Sequence, residues 1–459
     1  METFPDEPGS IAEAESRTDL ANGKRFAKLH GKEVHYVSGW NKFISWNRNR
    51  WFVDAGFMVE SRAKHVSDAI WQEIADILPE VDLWTQSQLI AFARQSSSSR
   101  GIEAMLKMAR SEPNMPIPHT KLDCNPWLFN VQNGTINLQT GQIQSHNPQD
   151  YITKIAPIKF DERAECPIWL QMLEEIFAES QSLIGFLQRF FGMTLTGVTQ
   201  EHILPFFYGC GANGKSTVVE TVLAVLGKDY SMRAAPDLLM VKANESHPTE
   251  RADLFGKRFV AATEIEQGRR LNESLVKDLT GGDAIRARRM REDFWEFQPS
   301  HKIILVGNHK PNVRGQDHGI WRRLRLIPFM VTIPPDRQDK QLREKLLRES
   351  RGILNWMLQG CKEWQAEGLG EPAEVTAATE SYRGEQDVVG AFIAERCIES
   401  ASSKVKASDL FGEYERWCKL NGEHPIGGRR FGETMTERGY ERYHSGGTWY
   451  RGIEITETF

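Results

Sequence analysis

The sequence predicts an α/β protein organised on a parallel sheet, with a small α+β domain before it and a helix-rich unit after it. Three observations lead there. Residues 203–208 are a short apolar run, 209–217 a glycine-rich loop, and 218–226 place apolar residues at helical spacing until Gly227, which reads as strand, loop and helix. Further apolar runs at 258–263, 302–307 and 324–331 alternate with helical stretches. That alternation implies parallel strands whose ligand crevice lies at their carboxyl ends. Beyond residue 388 come three helical stretches and a terminal hairpin around Ser445-Gly446-Gly447, an order that resembles a winged helix.

Composition narrows the classes. The chain has 459 residues, enough for roughly three domains at about 150 residues each. With 40% hydrophobic and 26% charged residues it reads as globular. A net charge of -5 means that any nucleic-acid site is a local basic patch rather than a global field. Six scattered cysteines without a C-x-x-C exclude a zinc ribbon and suggest no disulfide framework. No signal peptide and no membrane-length apolar run occur, so a cytoplasmic protein without membrane contact is expected.

Each element follows from local sequence. Residues 1–18 are acidic and rich in Ser, Glu and Pro, as in a disordered tail. Residues 20–29 read as a helix. Residues 34–53 carry Trp40, Trp46 and Trp51 between turn signals and read as a small antiparallel sheet, where packing explains the tryptophans better than base stacking. Helices are expected over 63–77 and 84–110. Gln132-Asn133-Gly134 between two extended runs marks a hairpin. Helices over 168–178 and 181–194 lead to the glycine-rich loop. Residues 340–369 read as helical, and 368–372 as a linker. The last unit is a helix from 388, helices over 406–420 and 429–438, and the hairpin.

The loop is where chemistry concentrates. Gly209, Gly214, Lys215 and Ser216 fill G-x-x-x-x-G-K-[ST], with a strand before and a helix after. Glycines let backbone N–H groups approach phosphate oxygens, and the helix N-terminus adds partial positive charge. In this P-loop reading Gly209, Cys210, Gly211, Ala212, Asn213, Gly214, Lys215, Ser216 and Thr217 cradle a nucleotide. Lys215 reaches the β/γ-phosphates and Ser216 binds Mg²⁺. ATP and Mg²⁺ are the expected ligands. Hydrolysis also needs a base, a sensor and a cation. Glu264 ends one predicted strand as the base candidate, and Asn308 ends the next as a sensor. Arg322 and Arg323 suit an arginine finger. Between base and sensor, Arg286, Arg288, Arg289 and Arg291 lie near the tip of a predicted hairpin and suit phosphate contacts in a ring pore.

These residues carry a family resemblance. G-C-G-A-N-G-K-S-T (209–217), G-K-R-F-V-A-A-T-E-I-E (256–266), L-T-G-G-D-A-I-R-A-R (279–288), V-G-N-H-K-P (306–311) and I-W-R-R-L-R-L-I-P-F (320–329) resemble superfamily 3 helicases of the phage, plasmid and poxvirus primase–helicase type. The resemblance spans about residues 18–335. It implies a P-loop NTPase (AAA-like) core in an ATP-driven hexameric ring moving 3′ to 5′ on single-stranded DNA. It places Arg322 and Arg323 at a neighbour's nucleotide, with Arg323 ranked slightly ahead by motif position. Thr263 stands where the wider superfamily has a first acid, which leaves open whether Glu266 joins Ser216 and Glu264 in holding Mg²⁺.

The implied domains are a tail (1–18), an N-terminal α+β accessory domain (19–160) and the helicase ATPase (161–335). A helical linker region (336–375) and a winged-helix-like DNA-binding domain (376–459) follow. Expected partners are single-stranded and forked DNA, further copies in a homo-hexamer, and a separate primase or polymerase. Relatives often fuse a priming polymerase in front, but the chain has no D-x-D, so the helicase half alone is read here. The alternatives are a nucleotide-dependent origin-binding initiator that unwinds little, and a DNA primase with an unrecognised site.

Overall fold

The structure is a computed structural model that describes residues 10–456 except 12, 56, 243–247, 264–266, 289–293 and 316–317. The first unit begins with α1 (Asp19–His30), whose N-cap Thr18 accepts a hydrogen bond from the Ala21 N–H. A four-stranded sheet is built from β1 (Val34–Val37), β2 (Lys42–Trp46) and β3 (Trp51–Val53), closed later by β4 (Pro116–Ile117) on the far side of β1. Helices α2 (Met58–Ile77), α3 (Leu83–Ser96) and α4 (Ser99–Ala109) pack over it around Phe26, Val66, Ile70 and Met105.

Two expectations change here. The helix expected over 84–110 is divided, because the Ser98 side chain caps α4 by accepting from the Gly101 N–H at 3.0 Å, which ends one helix and starts another. Part of the expected disordered tail is packed: Ile11 is buried in this core and the Ser16 carbonyl accepts from Arg25. Ile11 is a lone apolar residue in a polar segment, so composition averaged over the segment hides it. Trp51 is buried with its indole donating to the Pro148 carbonyl, and Trp40 and Trp46 pack half-buried beside it, as the packing reading expects.

A second small sheet, β5 (Leu128–Val131), β6 (Gly134–Asn137) and β7 (Ile143–Gln144), contains the expected hairpin. Then α5 (Pro167–Ile176) and α6 (Gln181–Thr194) lead into the central sheet. Its strands are β8 (Leu204–Tyr208), β9 (Ser231–Ala234), β10 (Phe259–Thr263), β13 (Lys302–Gly307) and β14 (Leu324–Pro328), in the order β14-β8-β13-β10-β9, every pair parallel. β9 was not expected from sequence, and Ser231-Met232-Arg233-Ala234 lacks an apolar run. A parallel sheet is covered on both faces, which is why β13 is buried throughout and β10 is buried except at its last residue.

Between the strands lie α7 (Lys215–Tyr230), interrupted at Gly227 with φ 69° where the sequence predicts a stop, α8 (Pro248–Ala252) and α9 (Glu273–Thr280). The antiparallel pair β11 (Ile285–Ala287) and β12 (Trp295–Phe297) stands off the sheet, and α10 (His318–Trp321) precedes β14.

After the sheet come α11 (Leu342–Arg348), α12 (Ser350–Glu367) and α13 (Ala373–Glu385). The expected boundary at residue 376 falls inside α13, whose Tyr382 belongs to the core under the sheet and whose Thr379 accepts from the Leu326 N–H of β14. The terminal unit is α14 (Val388–Arg396), β15 (Cys397–Lys406), α15 (Ala407–Leu420), α16 (Gly428–Glu437), β16 (Arg442–His444) and β17 (Thr448–Ile455), with its own core of Phe392, Tyr414, Phe431 and Tyr450. β15 is an additional strand. The polar run Ser400-Ala401-Ser402-Ser403, where the register with β17 shifts, breaks the alternation that would have revealed it. No helix among the described residues is long and apolar enough to cross a membrane.

Candidate active site

The loop between β8 and α7 is braced from the strand beside it. The Phe329 N–H donates to the Tyr208 carbonyl at 2.7 Å, and the Ile333 N–H to the Ala212 carbonyl at 2.8 Å. Gly209 has no room for a side chain, since a Cβ would lie 2.2 Å from the Phe329 carbonyl oxygen. Gly214 turns the chain into α7 at φ 81°, with Ile176 filling the space a Cβ would take. Gly211 and Ala212 also have positive φ. The side chain of Asn213 is buried and bridges the loop, donating to the Phe329 carbonyl and accepting from Lys215. Cys210 and Ser216 are exposed, and the Thr217 carbonyl accepts from Thr221 within α7.

Lys215 is the electrostatic centre. Its ammonium donates to the Gly209 carbonyl at 2.7 Å and to Asn213 Oδ1 at 2.9 Å, both neutral acceptors. Burial holds its pKa below the ordinary lysine value. A buried cation with only neutral partners, at the N-terminus of a helix, is suited to an anion. A cavity of about 720 Å³ opens there, at the carboxyl edge of the sheet. Lys215, Ser216, Thr263 at the end of β10, and Asn308 just after β13 converge on it. Ser216 could contribute a hydroxyl to a divalent cation. Glu264 and Glu266, the other expected metal ligands, lie outside the described residues.

Further charged and polar residues line the cavity beyond the sequence candidates. His309 follows Asn308. Arg233 lies on the unexpected β9 and is ion-paired with Glu220 of α7. Arg343 comes from α11, which packs on α7, and reaches the same cavity. The stretch holding Arg343 reads in sequence only as a helix after the sheet, and no motif marks it.

The D5 N terminal like family matches residues 23–178, and a family of unknown function (DUF5906) matches residues 207–323. A protein of Acanthamoeba polyphaga mimivirus provisionally named helicase L207/L206 is 27% identical over 323 residues, 65% of this chain and 34% of that one. A provisionally named primase, C962R of African swine fever virus, is 24% identical over 327 residues, again 65% and 34%. A provisionally named helicase, 184R of Invertebrate iridescent virus 6, is 25% identical over 316 residues, 60% and 32%.

The chain is similar to viral proteins of the phage and poxvirus primase–helicase type.

Its match spans about a third of the length of these viral relatives. The apo NrS-1 C-terminal region has the same overall fold, with TM-score 0.51 and 12% identity over 94% of this chain and 98% of that one.

The arginines of this chain separate by placement. Arg322 and Arg323 precede β14, so they sit at the amino edge of the sheet, a strand's length of roughly 17 Å from the cavity edge. Arg323 is buried, donating from Nη1 to the Gly319 carbonyl at 2.7 Å and from Nε to Thr280 Oγ1 at 3.2 Å. Arg322 is exposed. The two arginines therefore differ in setting: Arg323 is held inside its own subunit, and Arg322 faces solvent.

The predicted arginine hairpin is present as β11 and β12, with Arg286 opposite Glu296. The Arg286 and Arg288 guanidiniums lie 4.7 and 4.9 Å from the ring centre of the exposed Phe294. Arg289 and Arg291 lie outside the described residues. The hairpin base is fixed by Phe255, Trp295 and Phe297, and these meet Trp40 and His119 of the first unit. Lys310, just after β13, is tied to Glu385 at 2.7 Å.

Proposed function

We propose that this chain is the helicase part of a DNA-replication enzyme of a phage, plasmid or virus: a P-loop NTPase of AAA-like type that forms a ring and translocates on single-stranded DNA. The observation that carries the reading is the convergence of Lys215, Ser216, Thr263 and Asn308 on one cavity at the carboxyl edge of the parallel sheet. Lys215 and the α7 N-terminus would hold the phosphates of ATP. Ser216, with Glu264 and Glu266, would hold a magnesium ion, which offsets phosphate charge. Glu264 takes the proton of the attacking water, and Asn308 reports the γ-phosphate. As the finger, the exposed Arg322 would serve the next subunit of a ring, because its own cavity lies across the sheet. Six subunits follow from the family likeness. Arg288, with Arg289, Arg291 and Arg286, grips phosphates of forked or single-stranded DNA, and the winged-helix-like terminal unit adds a second DNA contact. A separate primase or polymerase would complete the machinery in the cytoplasm of the host cell.

The deciding experiment pairs ATP hydrolysis with strand displacement on forked DNA. The wild type hydrolyses ATP and unwinds; Lys215→Ala keeps the fold and loses both, because the charge on the transferred phosphoryl group is no longer offset. Wild-type turnover in Lys215→Ala overturns the site. Nucleotide-dependent DNA binding without displacement by the wild type makes the chain an origin-binding initiator instead.

A further inference from the structure

The terminal unit carries its charge where a helix-in-groove reader would not. On α16, Arg429 and Arg430 are both bridged to Glu433, and Arg430 also to Glu437. The (i, i+3) and (i, i+4) pairs to Glu433, and the pair two turns apart to Glu437, offset the charge of the arginines on their own helix. A duplex groove approaching α16 would meet the carboxylates as well.

The sheet of the same unit is different. In the register of β15, β17 and β16, Lys404 faces Arg451, Lys406 faces Trp449, and Trp449 faces Tyr443. The residues between them, Val405 and Tyr450, are buried in the core of the unit, so those five side chains share the outer face. Lys404, Lys406 and Arg451 are exposed, and Tyr443 and Trp449 half-buried. The Arg451 guanidinium lies 4.6 Å from the centre of the Tyr443 ring, and the Lys404 ammonium 6.0 Å from that of Trp449. Glu441 is the acid in this patch and is bridged to Arg451 at 3.1 Å. Glu454 lies past Gly452, whose φ of 84° marks a break in the strand.

We infer that this outer face is a binding platform for a single strand of nucleic acid: Trp449 and Tyr443 stack bases while Lys404, Lys406 and Arg451 contact phosphates. Cations interleaved with aromatics on an open sheet are the chemistry of sequence-independent single-strand binding. The self-neutralised α16 leaves no comparable surface for duplex. The inference rests on the reading of this chain as a DNA-binding machine and names the part of the terminal unit that touches the strand.

The test uses the full chain with a fluorescent oligo-dT and a duplex of equal length, each over a salt series. Lys404→Ala/Lys406→Ala is expected to weaken oligo-dT binding several-fold and to lower the salt slope by about 1.4, at about 0.7 per lost phosphate contact. Arg429→Ala/Arg430→Ala is expected to leave both unchanged. Trp449→Leu is expected to cost about tenfold in oligo-dT affinity with no change in slope, which separates stacking from charge. An unchanged affinity and slope in the lysine variant overturns the inference, as does a loss confined to the duplex. Duplex binding lost only in the α16 variant assigns the interface to that helix. Failure of the wider reading shows separately, as ATP hydrolysis that does not depend on Lys215.

Discussion

The two edges of the central sheet hold the same residue types in opposite conditions. At the amino edge, three strands are entered through a buried cation: Arg258 before β10, Lys302 at the start of β13, Arg323 before β14, at 6, 7 and 7% exposure. Their donors end on backbone carbonyls, with one further Arg323 donor on the Thr280 hydroxyl. Arg258 bonds the Leu195 and Leu128 carbonyls, Lys302 the Thr196 and Ser300 carbonyls, and Arg323 the Gly319 carbonyl. Leu195 and Thr196 follow α6, so two of these cations satisfy carbonyls that a helix end leaves open and sit against its negative pole. Burial drives the Lys302 ammonium well below its ordinary pKa. At the carboxyl edge, Lys215 is as buried and is likewise bonded to neutral groups, but a large cavity opens beside it. A buried cation closed in by its partners is architecture; one that also borders a large open volume is poised for an anion. Residue type alone would not distinguish them.

Arg322 and Arg323 test this contrast between adjacent residues, and the effect is the largest expected. Arg322→Ala should lower ATP turnover by about 10³–10⁵, the contribution of an arginine finger, with no change in thermal stability. Arg323→Ala should instead lower stability by about 2 kcal/mol, by leaving the Gly319 carbonyl and Thr280 hydroxyl short of a partner. Mixing Arg322→Ala with Lys215→Ala subunits should recover part of the ATPase, because one interface then combines two intact halves. The contrast breaks if Arg323→Ala abolishes turnover at wild-type stability while Arg322→Ala turns over normally.

The amino edge also predicts a pH dependence. His301 precedes Lys302 at 3% exposure. Burial, and next the charge of Lys302, push its pKa down to about 4. In the unfolded chain the value is about 6.5. Between these values the unfolded state binds the extra proton, so this contribution is complete above about pH 6.5 and is lost as the pH falls toward 4, about 3 kcal/mol in all. Melting temperatures measured from pH 7 to pH 4 should fall less steeply in His301→Gln than in the wild type. Parallel curves would mean that His301 titrates normally and that this edge is wetter than its packing indicates.

How much of this is legible in sequence differs between the edges. The loop from Gly209 to Thr217 announces itself because its chemistry needs particular residues at fixed spacing. The strands leading to it are apolar on both faces, so β8, β10, β13 and β14 are readable as well. The short polar β9 and the interrupted β15 are not, because pairing partners distant in the chain, rather than their own pattern, make them strands. The difference in burial between Arg322 and Arg323 is not legible either. Which of two neighbouring arginines is buried depends on where Thr280, more than forty residues earlier in the chain, places its hydroxyl. The expected base Glu264 and the hairpin residues Arg289 and Arg291 rest on sequence alone.

Arg343 carries the smallest expected effect and sharpens the comparison from the carboxyl edge. It enters the cavity from α11, outside every motif, and α11 is held against α7, the helix that begins with Lys215. It is exposed, unlike Lys215, so solvent screens its charge and its contribution is the smaller of the two. If the cavity holds a polyphosphate, a second cation from the same subunit should favour the more highly charged nucleotide. Arg343→Ala is therefore expected to weaken ATP binding about tenfold, the worth of a charge-assisted hydrogen bond, and ADP binding less. Arg343→Lys should fall between, since it keeps the charge and loses the fork geometry. Equilibrium binding of both nucleotides, with Lys215→Ala alongside, separates the possibilities. Equal losses for ATP and ADP would place Arg343 on a part of the nucleotide common to both. No loss, with Lys215→Ala inactive, would return Arg343 to solvent and leave the triphosphate to Lys215 and the neighbour's Arg322.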